Sequence, residues 1–488
     1  MLTRISHIAS LLDGIPLGVM LLYDALVLGV LTLAIVRRRG LTGTLAWIFA
    51  IIAIPGFGVA AYLLLANPRV ARTRRAKRAA TRELRTRQGR RGGRGGERAD
   101  SLLTGAERSV LHLAERLSDV APVSGNAVEL VSSNTGAADR IAKALASAKQ
   151  SIWAEYYMVK NDATGAAFLA ALAGRARDGL DVRLLYDAVG SWGIDSGALD
   201  RLREAGGHVE VFLPINPLRR RWAVHLRNHR KILVVDGRLA MTGGMNIGDE
   251  YSGGFRRGRG KAWRDTLLVV RGPAAGALAE VFAEDWSFAT ETEELLEVPT
   301  PPAVEGGCLV SILPSGPDQE ANANRLTYFA GITSALTRCW IASPYFIPDG
   351  PTNRALVTAA LRGVDVRILV PEKNDVFLMG PAARSYYTAL VRAGARIFEY
   401  RPAMLHAKLM VIDGRWSVIG SANVDIRSFW LNFEISALVF DPAFAGEVEA
   451  QFVRDLAEST EVSLEILSGR GFLPALGEGI ARLMSPLL

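Results

Sequence analysis

Two cysteines in 488 residues, Cys308 and Cys339, supply neither a disulfide framework nor a metal-ligand cluster. That suits a reducing compartment and leaves each thiol as a buried apolar filler. Positive charge is also scarce where a polyanion-binding enzyme would need it. The chain carries +8, yet residues 69–98 alone hold thirteen Lys+Arg against Glu83 and Glu97. With +2 over residues 1–68, the remaining 390 residues sum to −5. A mildly acidic body argues against a surface built to grip nucleic acid.

Long apolar runs are confined to the first 68 residues. Residues 15–36 form one, with Asp24 its only charge, and about 44–66 form a second after Arg37-Arg38-Arg39. Each is long enough to cross a bilayer, and the pair is too long and too closely followed to be a cleaved signal peptide. The expectation is a transmembrane hairpin over residues 1–68, multi-pass in the cell membrane. The basic segment 69–107 should stay cytoplasmic and attract anionic headgroups. Asp24 is costly at that depth.

Beyond residue 107 helices alternate with short apolar strands, and the pattern is written twice. RDGLDVRLLYD (177–187) returns as LRGVDVRILVP (361–371), and IWAEYYMVKND (152–162) as CWIASPYFIPDG (339–350). Alternation of this kind predicts an α/β fold with mixed sheets flanked by helices. Two homologous domains, 108–300 and 301–488, are expected in a pseudo-twofold arrangement.

The most informative repeat is RNHRKILVVDGRLAMTGGMN at 227–246 against MLHAKLMVIDGRWSVIGSAN at 404–423. His229/His406, Lys231/Lys408, Asp236/Asp413 and Asn246/Asn423 are each 177 apart. Asp-Gly between apolar runs predicts a type I′ hairpin. In that register Val235 faces Arg238, His229 lies opposite Gly244, and His406 lies opposite Ser421. His and Lys two apart share one strand face, so each copy offers an imidazole, an ammonium, an amide from Asn246 or Asn423, and space beside Gly244 or Ser421. Such a face suits a phosphate. The Asp falls about 23 Å along the strand from its His at about 3.3 Å per residue, which makes it a turn-former. Carboxylates to orient the imidazoles must come from elsewhere, and Asp265 and Glu434, each beside an apolar strand, are the candidates.

Two such faces meeting at one interface would let one imidazole attack phosphorus while the other protonates the leaving oxygen. Two Lys and two Asn would neutralise the developing charge without a metal. His225 and His229 sit i, i+4 but lack a Glu-x-x-His companion, so no zinc site is read.

HRKILVVDG and HAKLMVIDG resemble the paired HxKxxxxD signatures of the phospholipase D superfamily. EYYMVKND, GGMNIGDEY, SPYFIPDG, GSANVDIRSFWLNFE and the N-terminal apolar pair are similar to bacterial cardiolipin synthases within it. The resemblance covers nearly the whole chain. It implies phosphatidyl transfer between two phosphatidylglycerol molecules with release of glycerol, no cofactor, and a phosphohistidine intermediate. It implies His229 as nucleophile and counts His229, Lys231, Asp236, His406, Lys408 and Asp413 as the catalytic set. Hydrolysis by water is the alternative outcome at such a site. The chain lacks the Asp-rich metal pattern of CDP-alcohol phosphotransferases. The C-terminal run 472–484 places Phe472, Leu476, Ile480, Leu483 and Met484 near helical spacing, which predicts packing against the core.

Overall fold

The computed structural model describes residues 17–36, 41–54, 56–59, 62, 77, 103–215, 226–252, 262–292, 296–305, 307–319 and 321–484. The chain divides into two compact units, Met1–Arg72 and Thr73–Leu488. In the first, helices Leu17–Val36 and Leu41–Ala53 bury Val30, Ala34 and Ile51 with Val59 and Tyr62. Leu22, Leu28, Phe49 and Phe57 are exposed. Among the described residues no helix is long and apolar enough to cross a membrane. The expected two-span hairpin is therefore not shown; the second helix has 13 residues, about 20 Å at 1.5 Å per residue. The Arg37–Arg39 loop and His225 lie outside the described residues, as does the basic segment 69–98 except for Lys77.

The second unit is built on one large mixed sheet, with Phe346–Ile347 and Val424–Asp425 paired in a separate two-stranded sheet. Its first half supplies β1 (Val123–Val131), β2 (Ser151–Tyr156), β3 (Asp181–Asp187), β4 (His208–Phe212), β5 (Arg227–Asn228), β6 (Lys231–Val235), β7 (Leu239–Gly243) and β8 (Leu267–Arg271). The second half supplies β9 (Cys308–Ser315), β10 (Arg338–Ala342), β11 (Phe346–Ile347), β12 (Asp365–Pro371), β13 (Arg396–Tyr400), β14 (Leu409–Ile412), β15 (Trp416–Gly420), β16 (Val424–Asp425), β17 (Asn432–Phe440) and β18 (Ser459–Glu461). Reading outward from the middle, one half runs β1-β8-β7-β6-β2-β3-β4 and the other β9-β17-β15-β14-β10-β12-β13, with β18 on the far edge. The two paths are the same. They join where β1 meets its own counterpart β9 antiparallel, Val123 opposite Val310 and Asn126 opposite Cys308, which places a pseudo-twofold between the halves. β6 and β14 are buried throughout, as interior strands covered on both faces must be.

Each half has its own apolar cluster. The boundary between them is not the one read from sequence. Helix Gly105–Ser118, expected in the first domain, inserts Val110, Leu111 and Ala114 into the second half's cluster, and its Glu107 pairs with Arg415. The C-terminal helix Phe472–Met484 is a second correction. Only Ala481 of its described residues is buried, while Phe472, Leu476, Ile480 and Leu483 are exposed. It leans on helix Met379–Arg392 through Arg482, 4.7 Å over the Tyr386 ring, and turns its apolar stripe outward.

The hairpins also differ from expectation by one residue. Asp236 and Gly237 take positive φ (52° and 63°), as a type I′ turn requires, and the Arg238 amide donates to the Val235 carbonyl at 3.1 Å. Yet Val235 pairs with Leu239 and Ile232 with Thr242; in the second copy Ile412 pairs with Trp416 and Leu409 with Ile419. Arg238 and Arg415 are left outside the ladder as an extra residue. The cause is the preceding aspartate, whose carboxylate is held by the strand on its other side. Asp236 accepts from the amides of Lys149, Gln150 and Ser151 at 2.7–3.1 Å. Asp413 accepts from Leu336, Thr337 and Arg338 at 2.7–3.2 Å.

Candidate active site

Strand ends from both halves converge beside the pseudo-twofold. The His229 amide donates to the Phe433 carbonyl (2.8 Å), and the His406 amide to the Arg264 carbonyl (2.7 Å). Phe433 and Arg264 are equivalent positions, because Gly243 pairs with Leu267 and Gly420 with Ser436. Each histidine is thus clamped to the strand that leads into the other half's β8 or β17.

The side chains repeat the exchange. His229 Nδ1 lies 2.9 Å from Glu434 Oε2, and His406 Nδ1 lies 2.7 Å from Asp265 Oδ2. Glu434 and Asp265 are again equivalent, one residue beyond Phe433 and Arg264. Every imidazole is oriented by a carboxylate from the opposite half. With Nδ1–H given to the carboxylate, Nε2 carries the lone pair, and it has no hydrogen-bond partner among the described residues. Lys408 Nζ also stands 2.7 Å from His406 Nδ1. An ammonium has no lone pair to accept the ring proton, so Asp265 takes it and Lys408 donates to the His406 carbonyl. Lys231 Nζ donates likewise to the His229 carbonyl at 2.7 Å.

Burial and charge set the protonation states. Burial pushes the His229 imidazole down to about 4, opposed by Glu434 and reinforced by Lys231. Burial and then Lys408 push His406 down to about 3, against the pull of Asp265. Both rings are neutral at pH 7, the form in which Nε2 is a nucleophile or base. Burial lowers Lys408 to about 8 and holds Lys231 well below the ordinary lysine range, and Lys408 adds to the Lys231 shift by repulsion. Burial alone would raise Asp265 and Glu434, but Lys408 and His406 for the one, and His229 and Lys231 for the other, hold both below the usual carboxylate range. Each histidine also feels the lysine of the other half. Two lysines and two basic nitrogens face one space, and a phosphodiester there would offset the repulsion between Lys231 and Lys408.

The remaining expected residues divide. Gly244 does not open space beside His229. A Cβ there would stand 2.2 Å from Asp265 Oδ1, so only glycine lets that carboxylate reach His406. Its counterpart Ser421 donates to Glu434 Oε2 at 2.5 Å. Both serve the orienting carboxylates, a correction to their expected role as substrate contacts. Asn246 spends its amide N–H on Tyr251 Oη (3.0 Å) and Asn423 on Asp425 (3.2 Å), leaving each Oδ1 without a partner among the described residues. Asp236 and Asp413 are not brought to the imidazoles. Burial would raise Asp413, but its backbone amide partners outweigh that and hold it low. These aspartates brace the hairpin turns, which corrects their place in the catalytic set.

Other contacts were not legible in the motifs. Tyr157 lies edge-on to His229 with ring centroids 5.0 Å apart, while Trp263 (5.1 Å) and Tyr251 (5.5 Å) flank His406. Behind His229 is a buried charged network. Asp187 accepts from the Asn228 amide and pairs with Arg227. Arg230 donates to the Glu434 carbonyl at 3.0 Å and pairs with Asp285, which also pairs with Lys77. Lys77 is 1% exposed, so this residue of the basic segment is core, not solvated linker. The paired letters in RNHRK and EYY were the available signal, since buried Arg and Glu are rarely left alone.

A fold with two half-sites that together present two neutral imidazoles and two ammoniums defines a two-histidine phosphodiester-transfer protein. The family model described as "Cardiolipin synthase, PLD-like domain" matches residues 141–286 and 328–456, and the chain belongs to that family. It is 34% identical over 457 residues to the cardiolipin synthase of Alkalihalophilus pseudofirmus, covering 93% of this chain and 90% of that one. It is 40% identical over 396 residues to the cardiolipin synthase of Geobacillus thermodenitrificans (78% and 76% covered). It is 35% identical over 456 residues to cardiolipin synthase A of Pseudomonas aeruginosa (93% and 92%). The crystal structure of phosphatidylserine synthase from Haemophilus influenzae shares the fold, with a TM-score of 0.59 at 16% identity, covering 78% of this chain and all of that one.

Proposed function

We propose that the protein makes cardiolipin by transferring a phosphatidyl group between two phosphatidylglycerol molecules. The carrying observation is the crossed pairing of His229 with Glu434 and His406 with Asp265. His229, whose side chain is 12% exposed against 6% for His406, is the nucleophile. Its Nε2 forms a bond to phosphorus as the bond to the glycerol oxygen breaks. His406 delivers the proton to that oxygen. Bound phosphodiester charge favours the imidazolium that the empty site disfavours. The primary hydroxyl of a second phosphatidylglycerol then gives its proton to His406 and attacks phosphorus, freeing His229. Lys231 and Lys408 balance charge on the phosphoryl oxygens.

The unit Met1–Arg72 is the membrane anchor in this reading, as a two-span hairpin with the catalytic halves on the cytoplasmic side. Leu22 (74% exposed) and Phe49 (74%) are apolar surface that a bilayer would cover, and the outward stripe of helix Phe472–Met484 is another. Purified protein given labelled phosphatidylglycerol should yield cardiolipin and glycerol in equal amounts without a CTP-derived donor. Phosphatidic acid as the main product would replace this reading with hydrolysis. Cysteines placed at 40 and at 100 and probed from outside intact cells test the anchor: only the first should label.

A further inference from the structure

The first half contains a cavity of about 350 Å³, within the roughly 300–1,000 Å³ typical of ligand sites. It lies between helices Asn134–Ser147, Ala163–Arg177 and Asp249–Ser252. Ala138, Ala142, Ala163 and Ala167 form its sides, and Met245 and Tyr251 its floor. No charged residue occurs between Ala163 and Gly174. The polar groups in the wall satisfy one another: Thr164 Oγ1 donates to Asp249 Oδ1 (2.7 Å), and Asn246 Nδ2 donates to Tyr251 Oη. Apart from Asn246 Oδ1, which has no partner among the described residues, the lining is apolar or internally bonded. Hydrocarbon is what the lining fits.

The floor connects the cavity to the chemistry. Tyr251, whose ring lies 5.5 Å from His406, is shared by cavity and site, and so is Asn246. In the second half, helix Ala323–Ser334 sends Tyr328 (1% exposed) against Phe429 (0%) of helix Ile426–Trp430, with ring centroids 6.0 Å apart.

We propose that this cavity holds one acyl chain of a phospholipid whose phosphate sits between His229 and His406. The inference rests on the lipid substrate proposed above and adds where one chain goes.

Two measurements test it on the full-length protein in mixed micelles. Ala142→Phe and Ala167→Phe, both at exposed positions of their helices, should lower the ratio of kcat/KM for dipalmitoyl- over dihexanoyl-phosphatidylglycerol roughly tenfold, the loss of about two buried methylenes. An unmoved ratio in both variants overturns the proposal. Independently of turnover, Ala167→Cys should react with a maleimide several-fold more slowly when dipalmitoyl-phosphatidylglycerol is present, counted above labelling of the unsubstituted chain. Glycerol phosphate should give no protection, and Ala166→Cys, exposed but outside the cavity, should label at one rate throughout. Equal labelling of Ala167→Cys with and without lipid removes the acyl site even if cardiolipin is made. Protection without any cardiolipin formation would retain the site and remove the proposed reaction.

Discussion

The two histidines sit at equivalent positions just ahead of β6 and β14, yet their neighbourhoods are built from different materials. His229 is flanked by Arg227, Asn228 and Arg230, all buried and engaged by Asp187, Glu155, Asp285 and Glu434. His406 is flanked by Met404, Leu405 and Ala407 and walled by Trp263 and Tyr251. Each ring takes one carboxylate bond, but the residues beside His229 are held in a polar cage while His406 is packed in an aromatic box. Burial raises Glu155 in that cage well above the ordinary carboxylate range, helped by Asp285. The pseudo-twofold conserves geometry and leaves chemistry free to diverge, which is what a nucleophile and an acid–base partner require.

The strongest test of that division removes each ring. His229→Ala should abolish cardiolipin formation and trapping of a phosphohistidine. His406→Ala should cost roughly 10²–10⁴-fold with a glycerol leaving group, but should still trap the adduct from a p-nitrophenyl phosphodiester, whose leaving group needs no proton. Adduct formation in His229→Ala and its loss in His406→Ala would exchange the roles. The crossed pairing can be broken next. Glu434→Gln should slow adduct formation about 10²-fold, whereas Asp265→Asn should spare it with the nitrophenyl diester and slow only glycerol release. Slowing of each step by the carboxylate of its own half would refute the crossing.

A smaller effect separates the lysines by pH. Lys408 loses its proton as pH rises through about 8, so charge available to the phosphodiester falls above that value and kcat/KM should fall with it. Lys408→Arg should carry the decline to higher pH, because a guanidinium stays protonated. A wild-type profile flat to pH 10 would remove the Lys408 charge from the reaction. The smallest change in turnover belongs to the turns. Asp236→Ala and Asp413→Ala should each destabilise by about 1–3 kcal/mol through orphaned amides, read as a lower urea midpoint, with kcat within about twofold. A hundredfold drop in kcat would return either aspartate to the chemistry.

The doubling, the alternation of strands and helices and the two HxK pairs were all legible in the letters, because they are local patterns or exact spacings. Asp265 and Glu434 stood out as carboxylates beside apolar strands, but nothing local states which imidazole each one meets. That crossing depends on β1 meeting β9 and on strand ends that pass the centre. The hairpin register slipped by one because the turn rule considers the two strands it joins, while Asp236 answers to the amides of a third. Helix Gly105–Ser118 escaped for the same reason: its sequence neighbours lie in one half and its packing partners in the other. The exposed stripe of Phe472–Met484 shows the limit of periodicity, which identifies an apolar face and says nothing about what covers it.

The crossed carboxylates also have a genetic meaning. A lesion at Glu434 leaves the second half's own histidine furnished and disarms the first half's, and a lesion at Asp265 does the reverse. Inheritance of the two halves is therefore joint: neither can be replaced by a diverged copy unless both the ring and the distant carboxylate come with matching partners. A change to a histidine or a carboxylate in either half is thus felt in the chemistry of both.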